Sequence, residues 1–424
     1  MSEGLAPEAA RGLVLAEARA LGSERIALAE SLGRVTAAEV RSPIAIQPFD
    51  NSAMDGYALR SADARGAGER LRLVGESRAG HPSPVPVREG EAIWISTGAM
   101  LPEGADVVLP VEDSREEGGE LLPSRPVQPG EHIRRAGEDV EAGQVLLGGG
   151  QRIGAAELAV LAAAGVAEVV CARRPRLAIL GSGDELVPPG DPLGPGQIHD
   201  SNTYALAAMA REAGADPVLI AHLPDDATTV QQAISAALST ELHRISNLPE
   251  RKFDAVRGVD VLLVAGGVSV GRHDHVKGAL AELGVVERFW RVAMRPGGPT
   301  WFGVRSSDAS PPTLVFGLPG NPVSAMVTFH LFAKPALRAL VGLEPLGGRT
   351  RAALAGGYRK KRGKAHYLRC RLELTDDGWR AHLTRESQGS HVLTSMLGAD
   401  ALAVIPAEAE EIAAGERVEV ELLR

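Results

Sequence analysis

LAILGSGDEL (177–186), VLLVAGGVSVGRHD (261–274) and TLVFGLPGNPVS (313–324) decide how this chain reads, because in each a short apolar run passes directly into a glycine-rich loop. Between and after them lie stretches with helical spacing of apolar residues, at 202–213, 228–243, 276–283 and 322–340, and one further strand pattern at 217–223. Strand and helix in alternation predict a parallel sheet with helices on both faces, here over 175–341. All three loops then open on one edge. Ligands of such sheets bind beyond the carboxyl ends of the strands, where glycine lets backbone N–H groups approach phosphate oxygens. Asp200-Ser201-Asn202 is placed to cap the helix that follows.

Outward from this domain the texture changes. Residues 1–42 and 141–174 carry helical spacing (6–20, 26–32, 154–164) and are expected to form one discontinuous helical linker domain. Inserted between them, 43–140 reads as β-rich, with short strands at 71–74, 92–95 and 107–111 between Gly/Pro turns. Residues 342–424 return to short strands and suggest a small β-barrel or sandwich. The expected class is therefore a multidomain α/β plus β protein: a doubly wound α/β domain, a β-rich inserted domain, an N-terminal helical domain and a small C-terminal β-barrel.

Composition narrows the function. The chain has 424 residues, 44% hydrophobic and 23% charged, enough for several cores, and 49 Gly with 28 Pro point to many turns. A net charge of −9 argues against a general nucleic-acid binder. No apolar run is long enough to span a bilayer, so no membrane partner and a cytoplasmic location are expected. Cys171 and Cys370 are far apart and read as buried thiols.

The carboxyl edge gathers Asp184, Glu185, Asp225, Asp226 and Asp274, which suit a site for a phosphorylated ligand only if a cation stands between. Mg²⁺, which takes one or two carboxylates and phosphate oxygens, is the natural choice. Asp226 can equally cap the helix that follows, and Asp274 can be a turn residue. Three adjacent residues, His273-Asp274-His275, cannot readily supply a tetrahedral transition-metal site. Arg291 and Arg295 present forked guanidinium groups suited to a tetrahedral oxyanion, with ion pairing to the acidic loops as the alternative. FDNSAMDGYAL (49–59), STGAMLPEGAD (96–106) and RRAGEDV (134–140) are polar clusters that composition alone leaves as turns or site. The tract 349–371 holds nine Lys/Arg and no acid, which suits a small anion. The polar segment 239–257 reads as a surface excursion.

DNSAMDGYA, STGA, PEGAD, RRAGED, SGDEL, GGVSVG, PGNPVSA and SQGSH (387–391) occur in one order, and with them the chain resembles the molybdopterin molybdenumtransferase family, MoeA in bacteria and the E domain of gephyrin. The resemblance runs from about residue 13 to the end. It implies a central domain like that of the MogA-type adenylyltransferases. It also implies a homodimer whose active cleft lies between the α/β domain of one subunit and the β-rich domain of the other. Adenylylated molybdopterin and molybdate would react there, with Mg²⁺, to give molybdenum cofactor, AMP and water. A molybdopterin adenylyltransferase is the implied partner enzyme. By the same likeness Asp50, Asp55, Asp139, Glu185, Asp225 and Asp274 are catalytic, the last three as Mg²⁺ ligands. Substrate binding falls to Thr97, Ser182, Gly183, Gly266, Gly267, Ser269, Arg291, Arg295, Gly320, Asn321, Pro322, Arg369 and Ser390. Arg291 and Arg295 stand where many members carry lysine, Gly298 where the motif PGKP has another, and His275 where tyrosine is common. The competing readings are an adenylyltransferase-like enzyme and a non-catalytic cofactor carrier or scaffold.

Overall fold

Six strands build the central sheet. In chain order they are β1 (Arg176–Ser182), β2 (Asp216–Leu223), β3 (Val261–Ala265), β4 (Val286–Trp290), β5 (Trp301–Ser307) and β6 (Ser310–Leu318), arranged 2-1-3-6-5-4. In this computed structural model, residues 4–66, 68–224, 226–239, 258–267, 275–307 and 310–423 are described. The polar excursion therefore falls almost wholly outside them, as do Asp225, Ser269 and Asp274.

β2, β1, β3 and β6 are mutually parallel, while β5 and β4 add an antiparallel pair at one side. The four strands that the alternation predicts are parallel as expected, and this pair is an addition that the alternation does not foresee. Its first strand mixes charged and apolar residues, and in Val286-Glu287-Arg288-Phe289 only Phe289 is buried, a half-exposed edge pattern unlike that of a buried parallel strand.

Helices α1 (Asn202–Glu212) and α4 (Pro322–Thr328) cover one face with Leu206, Ala210, Val323 and Val327. Helices α2 (Ala227–Leu238) and α3 (Val276–Glu282) cover the other with Val230, Ile234, Val276 and Leu280. On the first face Phe302 stacks between Phe316 and Phe289, with centroids 4.9 and 5.7 Å away. Burying each such side chain contributes about 1.5–3 kcal/mol.

The helix expected at 322–340 is continuous, but Phe329–Ala333 widens into a π turn before Lys334–Leu340. Pro335 lacks the N–H that a regular turn would use there.

The N-terminal helix Pro7–Glu17 packs Ala10 and Val14 into the same core as α1 and α4. The helix expected over 26–32 is instead a strand, Ser23–Ala27, paired antiparallel with Glu168–Ala172 and followed by a single tight turn, Leu28–Glu30. Five residues with one inward apolar side chain, Ile26, gain more from a ladder partner than from a helix too short to nucleate. Val40–Arg41 likewise pairs with Val145–Leu147. The segments flanking the insertion thus meet through strands as well as the helix Ala155–Ala163.

The inserted β-rich region forms one six-stranded sheet containing Leu71–Ser77, Glu91–Ile95 and Val107–Pro110. Gly56–Leu59, read from sequence as part of a polar loop, is a fully buried strand of this sheet. At its start a Cβ on Gly56 would lie 2.1 Å from the carbonyl oxygen of Leu109, so the close pairing needs glycine.

At the C-terminus, β7 (Arg349–Leu354), β8 (Ala365–Thr375), β9 (Gly378–Leu383), β10 (Ala401–Ile405) and β11 (Arg417–Leu422) pair in the cyclic order 8-9-7-11-10-8. That closure makes a small barrel without free edges. A two-residue strand, Met294–Arg295, leaves the α/β domain to pair with the start of β8. Among the described residues no helix is long and apolar enough to cross a membrane.

Candidate active site

The strand order reverses between β1 and β3, with β2 on one side and β6 on the other. The crevice at that switch point is where a doubly wound sheet holds its ligand. β1 ends on Ser182 and runs into Gly183, β3 runs into Gly266 and Gly267, and β6 leads to Gly320. The three loops abut. A Cβ on Gly266, whose φ is +92°, would sit 2.6 Å from the Ser182 carbonyl oxygen, and one on Gly320 would lie 3.8 Å from the Gly266 Cα. Gly266 N–H donates to the Leu318 carbonyl at 3.0 Å.

Glu185 folds back over this turn. A Cβ on Gly183, at φ +149°, would meet its carboxylate oxygens at 2.3 and 2.8 Å. Asn321 and Pro322 open α4 as cap and first residue, which aims that helix's amide end at the loop.

Below the crevice, Asp200 accepts from the Thr203 amide at 3.1 Å and from its hydroxyl, fixing the start of α1. Asn202 Nδ2 donates to the Gly320 carbonyl at 2.7 Å, tying α1 to the third loop. The buried Asn202 Oδ1 and His222 Nδ1 have no hydrogen-bond partner among the described residues. Reading Asn202 as a helix cap from sequence missed this contact, which depends on a loop 118 residues away. Asp226 caps α2: its carboxylate accepts from the Thr229 hydroxyl at 2.5 Å and amide at 2.7 Å, and these bonds hold its pKa below the usual carboxylate value.

The loops of the β-rich domain also converge. Asp50 accepts from the Ala136 amide at 2.8 Å and from Arg135 Nη1 at 2.6 Å, and these contacts, the amide foremost, lower its pKa. Asp55 accepts from the amide and hydroxyl of Thr97 at 2.6 and 3.0 Å. The buried pair Asn51–Ser52 is hydrogen-bonded in a ladder to Ile133–Arg134, which joins the first and third polar clusters as Asp55 and Thr97 join the first and second; Asp55 and Asp139 are exposed.

Arg291 and Arg295, expected to act as a pair, face different clefts. Arg291 follows β4 and stacks on Trp290, its guanidinium carbon 4.4 Å from the ring centroid, while Lys277 sits 3.4 Å from the same centroid. Its φ of +72° is uncommon for a non-glycine residue. With Gly298, Arg351 and Lys364 it lines a cleft of about 1440 Å³ between the N-terminal segment and the barrel. Because β4 runs parallel to β6 and Trp301 pairs with Gly317, the 291–300 loop lies at the same carboxyl edge as the glycine loops.

Arg295 lines a second cavity of about 790 Å³ with Arg359, Lys360, Lys361, Arg362, Lys364 and Arg369, faced by one carboxylate, Glu386. Arg359 and Arg362 also pair with Glu411 and Glu410. Arg369 is fully buried and donates to Ser395 Oγ at 3.1 Å and to the carbonyl oxygens of Tyr367 and Gly389 at 3.2 and 3.4 Å. Burial pushes its pKa down to about 10. The loop 387–391 supplies Ser387, Gln388, Gly389 and His391 to the wall, with Ser390 half-buried between them. Sequence reasoning missed Tyr358 and His366, which share a hydrogen bond of 2.9 Å in this cavity. Burial, reinforced by Lys360, Arg295 and Lys364, pushes the His366 pKa down to about 4. Polar His366 and Arg369 inside the apolar stretch of β8 were the available signal.

Three family models match the chain: the MoeA N-terminal region (domains I and II) over 5–165, a probable molybdopterin-binding domain over 178–339, and the MoeA C-terminal region (domain IV) over 351–423. The molybdopterin molybdenumtransferase of Nostoc is 36% identical over 397 residues, covering 91% of this chain and 85% of that one. That of Haemophilus influenzae is 33% identical over 402 residues, covering 94% and 93%. Two crystal structures of molybdopterin biosynthesis MoeA proteins from Pyrococcus horikoshii superpose with TM-scores of 0.81 and 0.77, at 32% and 27% identity, each covering 99% of both chains.

Proposed function

From the premise that the chain belongs to the molybdopterin molybdenumtransferase family, we propose that it inserts molybdenum from molybdate into adenylylated molybdopterin, releasing AMP and water. The chain is a transferase of molybdenum cofactor biosynthesis. The observation that carries the assignment of sites is the pairing of a glycine-lined crevice at the sheet's switch point with a separate cationic cavity on the barrel.

The crevice takes the nucleotide and its phosphates: Ser182, Gly183, Gly266, Gly267 and Gly320 bring backbone to the ligand, and Asn321-Pro322 directs a helix terminus at it. Ser269 belongs to the same loop in sequence. The carboxylate of Glu185, folded over Gly183, fits a magnesium ligand, with Asp225 and Asp274 completing a set of hard oxygen donors. Bound there, Mg²⁺ would neutralise phosphate charge as the adenylate departs.

Arg295, Arg369, Ser390 and the cations around them hold molybdate through charge-assisted hydrogen bonds, with Arg291 at the neighbouring cleft. Asp50, Asp55, Thr97 and Asp139 face substrate from a second subunit of a homodimer. An adenylyltransferase supplies the adenylylated substrate, and the cytoplasm is the setting.

Relatives named molybdopterin molybdenumtransferase span about nine-tenths of the chain, so an activity confined to the α/β domain is not favoured. The test is AMP release from adenylylated molybdopterin with Mg²⁺ and molybdate. Release that depends on molybdate is expected, and nucleotide binding without AMP release overturns the reading. Sedimentation that finds only monomer overturns the shared cleft.

A further inference from the structure

The N-terminal helix, the helix Lys334–Leu340 and strand β11 meet around a cavity of about 20 Å³. That is room for a body about the size of a water molecule or a small ion. Its wall is strongly cationic: Arg11, Lys334, Arg338 and Arg349 face a single carboxylate, Glu421. One oxygen of Glu421 already accepts from both Arg11, at 3.1 Å, and Arg349, at 2.5 Å. Arg349 reaches Glu419 as well, at 3.1 Å, while Lys334 Nζ and Arg338 Nε donate to the neutral carbonyls of Leu423 and Glu344. Arg152 adds to the positive field at Lys334 and Arg338, against which Glu212 and Glu344 act from outside the cavity wall.

His330 completes the wall. It is 7% exposed, and its buried Nδ1 has no hydrogen-bond partner among the described residues. Burial, with Lys334 and Arg11 nearby, pushes its pKa down to about 3, so the ring is neutral near pH 7 and carries one N–H donor. A water could satisfy that nitrogen but would leave the surplus positive charge uncompensated. A compact anion answers both.

We infer that this junction is a chloride site, where one ion accepts from His330 and lies in the field of Arg11, Lys334 and Arg349. The ion joins three parts of the chain and is separate from the cavity that holds Arg295 and Arg369.

The test is thermal unfolding of the full-length protein in sodium chloride against sodium gluconate at constant ionic strength. An ion bound only by the native state raises Tm with its concentration, by about 2–4 °C between low and saturating chloride. His330→Leu keeps the apolar volume and removes the donor, so it should unfold cooperatively and lose the chloride dependence. Lys334→Met gives the same readout if that variant does not fold. Crystals grown in bromide should show an anomalous peak within hydrogen-bond distance of His330 Nδ1. Equal Tm in both salts, a chloride dependence that survives both substitutions, or a bromide map without that peak overturns the site and leaves water as the occupant.

Discussion

At the carboxyl edge of the α/β sheet the polar equipment is neutral or acidic: backbone amides around Gly183, Gly266 and Gly320, the carboxylate of Glu185, and Asn202 Oδ1 and His222 Nδ1, which have no hydrogen-bond partner among the described residues. In the barrel cavity the equipment is cationic, with Arg295, Arg369 and five further Lys/Arg side chains facing Glu386. Amides and neutral acceptors discriminate shape and hydrogen-bond pattern, whereas a concentration of cations selects charge. On the proposed function, the difference would put two substrates in two places. The organic nucleotide suits the first and the free oxyanion the second.

The sharpest way to break that division is Glu185→Gln. It removes a charge at the crevice and leaves the barrel untouched, so AMP release should fall on the order of 100-fold, while the molybdate KM and Tm stay within error. A change in molybdate KM alone would place the oxyanion at the wrong end. Arg295→Met probes the other half. Losing one charge-assisted contact should raise the molybdate KM by roughly 10- to 100-fold and leave nucleotide affinity, measured by calorimetry, unchanged.

His366 sharpens the account of the barrel. Its folded pKa of about 4 lies below the ordinary 6.5, so the folded state binds the proton less readily than the unfolded chain. Stability is therefore full above pH 6.5 and is lost as pH falls towards 4, at about 1.4 kcal/mol per pH unit from this group. Urea midpoints measured across that range should slope accordingly, and His366→Phe should flatten the slope. The smallest effect is expected for Gly298→Lys. A Cβ there would lie 3.3 Å from the Met294 carbonyl, a contact that small shifts relieve, and the added cation should lower the molybdate KM by about twofold.

Much of the α/β edge was legible because apolar run, glycine loop and helix repeat locally, and Gly266 and Gly320 then meet by strand order alone. The barrel cavity was only half legible. Arg369 stood out within an apolar strand, but its neighbours His366 and Tyr358 gain meaning only when β8 curls against Tyr358–Arg359 and the 386–391 loop. The separation of Arg291 from Arg295 could not be read from spacing, because Arg291 turns at positive φ and Arg295 leaves the domain to join the barrel. Residues 26–32 read as helix for a similar reason: the strand Ser23–Ala27 that overlaps them pairs with Glu168–Ala172, which lies beyond the whole inserted domain.

The most direct measurement is single-turnover AMP release from adenylylated molybdopterin by the purified protein with Mg²⁺, with and without molybdate. The account predicts release that requires molybdate, saturates with it, and is lost in Glu185→Gln. Release independent of molybdate, or undiminished by that substitution, would contradict it.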